Sequence, residues 1–196
     1  MKNYEYSKRF YQNFRKFIVW YMDMTYNIKA TGVENIPTDS NYLMVGNHLN
    51  ILDAALIAKY DPSNLRFMVD NKLYKTHSGN YFFKKCGTFG IDPNNSDVKA
   101  VREAYNILKE YSVVIFPEGR THKLEEEVPF KPGFSGIARM ANVPVLPFGI
   151  NGTYERHSDL QINFGEPINL KELDIKKSEY DRYIENEVRK LQMIKH

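Results

Sequence analysis

Cysteine is almost missing from this chain. The one thiol, Cys86, excludes an intramolecular disulfide and a zinc site built on cysteine. It suits a reducing compartment and reads as a small core or half-buried side chain. Long hydrophobic runs are missing too. No stretch approaches the ~20 apolar residues that span a bilayer. The longest run near the start, FIVWYM at 17–22, is too short for a signal-peptide core, and no A-x-A-like site follows it. No spanning helix is therefore expected, which leaves attachment to a membrane surface open. Charge of one sign is scarce: the net charge is +3, too small to point to nucleic acid. The five histidines, at 48, 77, 122, 157 and 196, are scattered. Without a His-x₃-His pair or H-E-x-x-H, no metal site is expected.

What is present is a globular composition. Of 196 residues, 42 % are apolar and 14 % aromatic, enough for one domain with a sizeable core. Residues 4–26 carry no Gly or Pro and read as one helix. Phe10, Phe14, Phe17, Ile18 and Tyr21 form an apolar stripe flanked by Lys8, Arg9, Arg15 and Lys16, with Trp20 beside it. Aromatics with basic flanks suit an interfacial helix; a helix packed on the protein's own core is the other reading. Strands are expected at 28–33, 42–47, 65–70, 88–92, 112–116, 143–150 and 160–168. Helices are expected at 53–60, from a Ser96 or Asp97 cap to about 111, at 134–142 and at 177–194, with an irregular helical segment at 72–86 and a loop at 117–133. This alternation predicts an α/β fold, a mixed, mostly parallel sheet flanked by helices. With no repeat or linker composition, the expected division is an N-terminal amphipathic element, 1–27, and one globular domain, 28–196.

Two segments carry chemistry. In GNHLNILD, 46–53, the pattern predicts a strand running into a helix. Were 48–53 all helical, positions i and i+5 would lie about 140° apart and His48 could not meet Asp53. They meet if His48 ends the strand and Asp53 sits in the helix's first turn, where a carboxylate also suits the helix N-terminus. Such a carboxylate fixes the imidazole tautomer and leaves the other nitrogen free to take a proton from an alcohol. That is the base and its orienter without a nucleophile. A G-x-S-x-G elbow is absent; GFSGI at 133–137 has Ile137 where the second glycine would stand. Direct transfer, with a substrate hydroxyl attacking an activated acyl group, is the economical reading. A histidine that merely hydrogen-bonds at a strand end is the alternative.

The second segment is FPEGRTH, 116–122, just past a strand's C-terminal end, where ligands of α/β sheets gather. Gly119 lets a ligand approach the backbone, and Arg120 offers a planar fork for phosphate. Glu118 can fix that arginine or bond a substrate hydroxyl. The alternative is a solvated loop with a surface ion pair.

These residues resemble the PlsC-like glycerophospholipid acyltransferases, the lysophosphatidic acid acyltransferase type. The family's N-H-x₄-D motif is matched by Asn47, His48 and Asp53, its F-P-E-G motif by Phe116 to Gly119, and its V-P-x-x-P strand by Val143 to Pro147. Order and spacing agree from about residue 28 to 168. The resemblance implies that His48 acts as general base on a glycerol hydroxyl, held by Asp53, in transfer to the sn-2 hydroxyl of lysophosphatidic acid. The donor would be a thioester on coenzyme A or acyl carrier protein, with no bound cofactor. Glu118, Gly119 and Arg120, with Gly87, Asp92 and Lys131, would bind the acceptor, Arg120 on its phosphate. The N-terminal aromatic–basic helix would serve the membrane, making this a peripheral protein of the cytoplasmic face; its small size suggests a bacterium.

Two departures bear on the acceptor. The motif usually written G-x-x-F-I-D-R reads here Gly87-Thr88-Phe89-Gly90-Ile91-Asp92-Pro93, so a proline replaces an arginine. In the other, usually F-P-E-G-T-R, Arg120 comes one position early, before Thr121. Lys72, Lys84, Lys85 or Lys131 would have to supply the missing charge. A different lysolipid or a glycolipid acceptor, a non-catalytic membrane-binding protein, and a hydrolase using the same base remain the competing readings.

Overall fold

The computed structural model describes residues 5–61, 65–91 and 98–194, leaving aside the side chains of 98–100. Among them the strands are β1 (Asn27–Thr31), β2 (Leu43–Gly46), β3 (Arg66–Asp70), β4 (Phe89–Ile91), β5 (Val113–Ile115), β6 (Val145–Gly152) and β7 (Asp159–Phe164). They form a single sheet in the order β1-β7-β6-β2-β5-β3-β4. β6 and β7 run antiparallel; the other pairings, β1–β7, β2–β6, β2–β5, β3–β5 and β3–β4, are parallel. The fold is thus the α/β, mostly parallel arrangement expected from the alternation. The helices are α1 (Lys8–Thr25), α2 (Asp53–Tyr60), α3 (His77–Lys85), α4 (Val98–Ile107), α5 (Phe134–Ala141) and α6 (Tyr180–Met193).

Successive residues of a strand face opposite sides of the sheet, and β2 shows what this does. Met44 joins Met22, Leu56, Ile57, Leu146 and Phe148 in a core between the sheet and α1 and α2. Leu43 and Val45 join Ala104, Leu108, Phe134, Ile137, Ile184 and Val188 in a second core beneath α4, α5 and α6. Both faces of β2 are buried, which explains its unbroken apolar run and places its end deep in the middle of the sheet.

Most boundaries fall within a residue or two of expectation. The last strand stops at Phe164, and Ile168 makes an isolated bridge to Val145 beyond it. The expected cap at Ser96 or Asp97 lies outside the described residues. The larger correction is in α1, which Ser7 caps through the N–H of Phe10. Its apolar residues split between two faces. Tyr11 and Met22 are buried, and Phe10 and Phe14 meet Phe82 of α3 edge to face. Phe17, Trp20, Tyr21 and Met24 point outward. Arg15 does not flank an exposed stripe. Its guanidinium donates to the carbonyls of Ala58 (2.5 Å) and Lys59 (3.1 Å), closing orphan carbonyls at the C-terminal end of α2. No helix among the described residues is long and apolar enough to cross a membrane.

Candidate active site

The site is built where β2 and its neighbour β5 end. Asn47, fully buried, fixes the geometry. Its side-chain amide donates to the carbonyl of Ile150 (2.9 Å) and its oxygen accepts the Ile150 N–H (2.7 Å). The end of β2 is thereby pinned to β6, and the chain turns sharply into His48.

His48 is held on every side but one. Its backbone N–H donates to Glu118 Oε2 (2.6 Å) and its carbonyl accepts the His122 N–H (3.1 Å). Its ring stacks on Phe116, centroids 4.0 Å apart and 16° between planes. Nδ1 lies 2.7 Å from Asp53 Oδ2. A carboxylate accepts, so Nδ1 carries the proton and Nε2 is the bare nitrogen. Nε2 has no hydrogen-bond partner among the described residues, and the side chain is one-fifth exposed. The expected corner is the observed one: His48 follows the strand and Asp53 opens α2.

Asp53 is entirely buried, and its carboxylate is surrounded by donors. Oδ2 also accepts the N–H groups of Leu49 (2.7 Å) and Asn50 (2.9 Å), and Oδ1 accepts the hydroxyl of Tyr154. With Nδ1 of His48 that makes four donors on one carboxylate. Burial, and then the Asp53 charge, push the Tyr154 phenol far above its ordinary range, so it stays protonated and donating. The Tyr154 ring meets Tyr26, just past α1, edge to face at 5.5 Å.

The segment after β5 completes the corner. Gly119 sits at φ +71°, a left-handed turn that suits glycine. A Cβ there would come within 2.7 Å of Lys131 Nζ, so Lys131 lies directly over this backbone. The turn sends Glu118 inward and Arg120 outward. Glu118 therefore neither fixes Arg120 nor meets solvent, contrary to the expectation. Its side chain is buried beside His48, 2.9 Å from His122 Nε2 and 3.7 Å from Arg189 Nη1 of α6. Burial raises its pKa above the usual carboxylate range, against the lowering effects of the His48 N–H, His122 and Arg189. Arg120 makes a two-pronged pair with Glu126. The bond to Glu126 raises the arginine's pKa and the same bond lowers that of Glu126; both side chains are half exposed, so this pair adds little to stability.

Of the residues singled out in the sequence, the structure thus brings together His48, Asp53, Glu118, Gly119 and Lys131, with Arg120 at their edge. Gly87 is not among them. It precedes β4 at the strand-start end of the sheet, against the guanidinium of Arg66, whereas His48 lies past the strand ends. The parallel register β3–β5 and β3–β4 sets that separation. Asp92 and Pro93 lie outside the described residues. Cys86 is buried, and burial pushes its thiol up to about 12, so it offers no thiolate. Sequence reasoning missed Tyr154, His122 and the stacking face of Phe116. Tyr154 stands 101 positions from Asp53 and gave no local signal; His122 stood in the quoted segment, four residues from Glu118.

A family model described as Acyltransferase matches residues 27–151, more than half of the chain. The 1-acyl-sn-glycerol-3-phosphate acyltransferase of Streptococcus pneumoniae strain R6 is 28 % identical over 90 % of this chain and 68 % of its own length. A chloroplastic 1-acyl-sn-glycerol-3-phosphate acyltransferase of Brassica napus is 26 % identical over 76 % of this chain; the match spans 47 % of the plant protein, about half. The crystal structure of the 1-acyl-sn-glycerophosphate acyltransferase PlsC from Thermotoga maritima superposes with a TM-score of 0.71 at 27 % identity, covering 95 % of this chain and 79 % of that one. Matched in sequence and in fold, with the His48–Asp53 pair seated at the end of β2, this chain belongs to the Acyltransferase family and is an acyltransferase.

Proposed function

We propose that the protein transfers a fatty acyl group from an acyl thioester to the sn-2 hydroxyl of lysophosphatidic acid, giving phosphatidic acid at a membrane surface. One observation carries the chemistry: Nδ1 of His48 is tied to a buried carboxylate while Nε2 is left bare on the exposed edge. Nε2 takes the proton of the acceptor hydroxyl as its oxygen attacks the thioester carbonyl. The tetrahedral intermediate collapses with cleavage of the C–S bond, and the departing sulfur takes the proton back from Nε2. No acyl-enzyme forms. The donor is a thioester of coenzyme A or acyl carrier protein.

Acceptor binding falls to the loop after β5. A phosphate arriving over Gly119 meets Lys131, and Arg120 can exchange the Glu126 carboxylate for it with the same two-pronged geometry. Membrane attachment falls to the outward face of α1, where Phe17 (58 % exposed), Trp20 (58 %) and Met24 (61 %) form an apolar patch. Ile51, 64 % exposed between His48 and α2, carries apolar surface up to the site. Beside that patch a groove of about 460 Å³ is lined by Trp20, Tyr21, Met24, Tyr26, Arg156 and Tyr154, the tyrosine whose hydroxyl holds Asp53. A peripheral, cytoplasm-facing bacterial enzyme fits this arrangement. Pro93, standing where the family motif has arginine, favours one second reading: the same chemistry on another lysolipid or a glycolipid.

The test is thiol release from a long-chain acyl-CoA by the purified protein on liposomes, run without acceptor, with lysophosphatidic acid and with other lysolipids. Release that requires lysophosphatidic acid and is lost in His48→Ala establishes the reading. Release with a different acceptor alone moves the substrate to the second reading, and release without any acceptor makes the protein a hydrolase.

A further inference from the structure

His122 is a buried histidine to which neither the family motifs nor the mechanism above assigns a part. It lies under the loop after β5, and its two ring nitrogens face two acceptors. Nδ1 is 2.7 Å from the carbonyl of Lys123, and Nε2 is 2.9 Å from Glu118 Oε2. The second approach is off-axis, an ion-pair contact rather than a straight hydrogen bond, and Nε2 has no other partner among the described residues. Both side chains are wholly shielded from solvent.

A carbonyl only accepts, so Nδ1 must carry a proton. A neutral imidazole would then hold a bare nitrogen 2.9 Å from a carboxylate oxygen, two acceptors in contact in a buried site. The opposite tautomer would set bare Nδ1 against the Lys123 carbonyl at 2.7 Å. The pair is free of conflict when it holds one further proton, as imidazolium with carboxylate or as imidazole with carboxylic acid. The same Oε2 accepts the backbone N–H of His48, and the His122 N–H donates to the His48 carbonyl. Proton, pair and catalytic histidine are joined through two backbone bonds.

We propose that His122 is a positioning residue: by sharing a proton with Glu118 it holds the loop of Gly119 and Arg120 against the backbone of His48, and loss of that proton releases the loop. The other charged groups around the pair are few. His48, just past β2 and with Asp53 behind it, meets the pair through its backbone. Arg189, itself paired with Glu185, faces Glu118 from α6. Glu126 and Arg120 act from the loop. Arg189 and Arg120 favour loss of the proton, while burial of Glu118 and the charge on Glu126 favour its retention. The sign follows from the raised Glu118: the hold is present at low pH and is lost as pH rises through the folded pair's value.

The inference rests on the acyl-transfer reading, and its test separates the two. The pH dependence of acceptor-dependent thiol release is compared for wild type, His122→Ala and His122→Gln. The acid limb reports protonation of the general base and is common to all three. His122→Ala lowers acceptor kcat/KM by about ten- to a hundredfold at neutral pH. Glutamine places an amide N–H where Nε2 stood and cannot titrate, so His122→Gln recovers most of that loss and abolishes the alkaline limb of the wild type. A glutamine variant that keeps the wild-type alkaline limb, or an alanine variant with wild-type kcat/KM, overturns the proposal. If the wild type shows no transfer to any acceptor, the acyl-transfer reading fails by itself. The proton is then read from ¹⁵N signals of the His122 ring, assigned by their loss in His122→Gln. An Nε2 signal that is protonated or hydrogen-bonded at low pH and moves to the bare-nitrogen position as pH rises supports the shared proton, and an Nε2 that is bare at every pH overturns it.

Discussion

The corner after β2 and the loop after β5 meet at the same site but are held in opposite ways. At the corner both carboxylate oxygens of Asp53 have donors and the carboxylate is sealed from water. In the loop, Gly119, Arg120 and Lys131 are exposed, and Arg120 is tied to Glu126, a partner it can exchange. The contrast teaches a division of labour. A general base must keep one tautomer and one orientation, which dense buried hydrogen bonding provides. A phosphate-binding group must let its ligand in and out, which an exposed, weakly paired cation allows. Glu118 joins the regions: it belongs to the loop by sequence and to the corner by burial.

The largest expected effect lies at the corner. His48→Ala should lower the transfer rate by roughly 10²–10⁴ while liposome binding stays as in the wild type. Wild-type turnover would sink the mechanism. Tyr154→Phe leaves Oδ1 of Asp53 without its donor, and should cost about 1.5–3 kcal/mol of folding stability, read from the denaturant midpoint. An unchanged midpoint would mean that the corner tolerates a gap. In the loop, Arg120→Ala should raise the acceptor KM by about tenfold and leave the donor KM alone; an unchanged acceptor KM removes Arg120 from phosphate binding. The smallest effect sharpens the contrast. Glu126→Gln frees Arg120 and should lower the acceptor KM by about two- to fivefold. A raised KM would show that Glu126 positions the arginine instead of competing for it.

The two regions also differ in how legible they were. His48 and Asp53 stand five residues apart where an apolar run gives way to a helical run, so local pattern was enough to say that they meet if a strand ends at His48 and a helix starts at Asp53. Arg120 and Glu118 are separated by one glycine, and nothing local told which would face inward; the φ of Gly119 decided it. The α1 stripe misled for a related reason. Helical spacing finds apolar faces but does not say which face meets the protein, and here one set packs on α2 and α3 while Phe17, Trp20 and Met24 stay outside. Gly87 was associated with the site by its motif, and the register of β3, β4 and β5 carried it to the other end of the sheet.

By itself the sequence determined the α/β class, the near-correct limits of most elements, the His48–Asp53 corner and the loop that faces it. Each follows from interactions within a few residues: alternation in strands, three- and four-residue spacing in helices, a turn between them. Tertiary structure alone decided that Tyr154 would seat itself on Asp53, that Glu118 would turn inward to His48 and His122, and that Arg15 would close the end of α2. Those partners lie far apart in the chain or across a backbone turn: the sheet order, with β2 between β6 and β5, brings Tyr154 and Glu118 to the corner, and the packing of α1 on α2 brings Arg15 to its carbonyls.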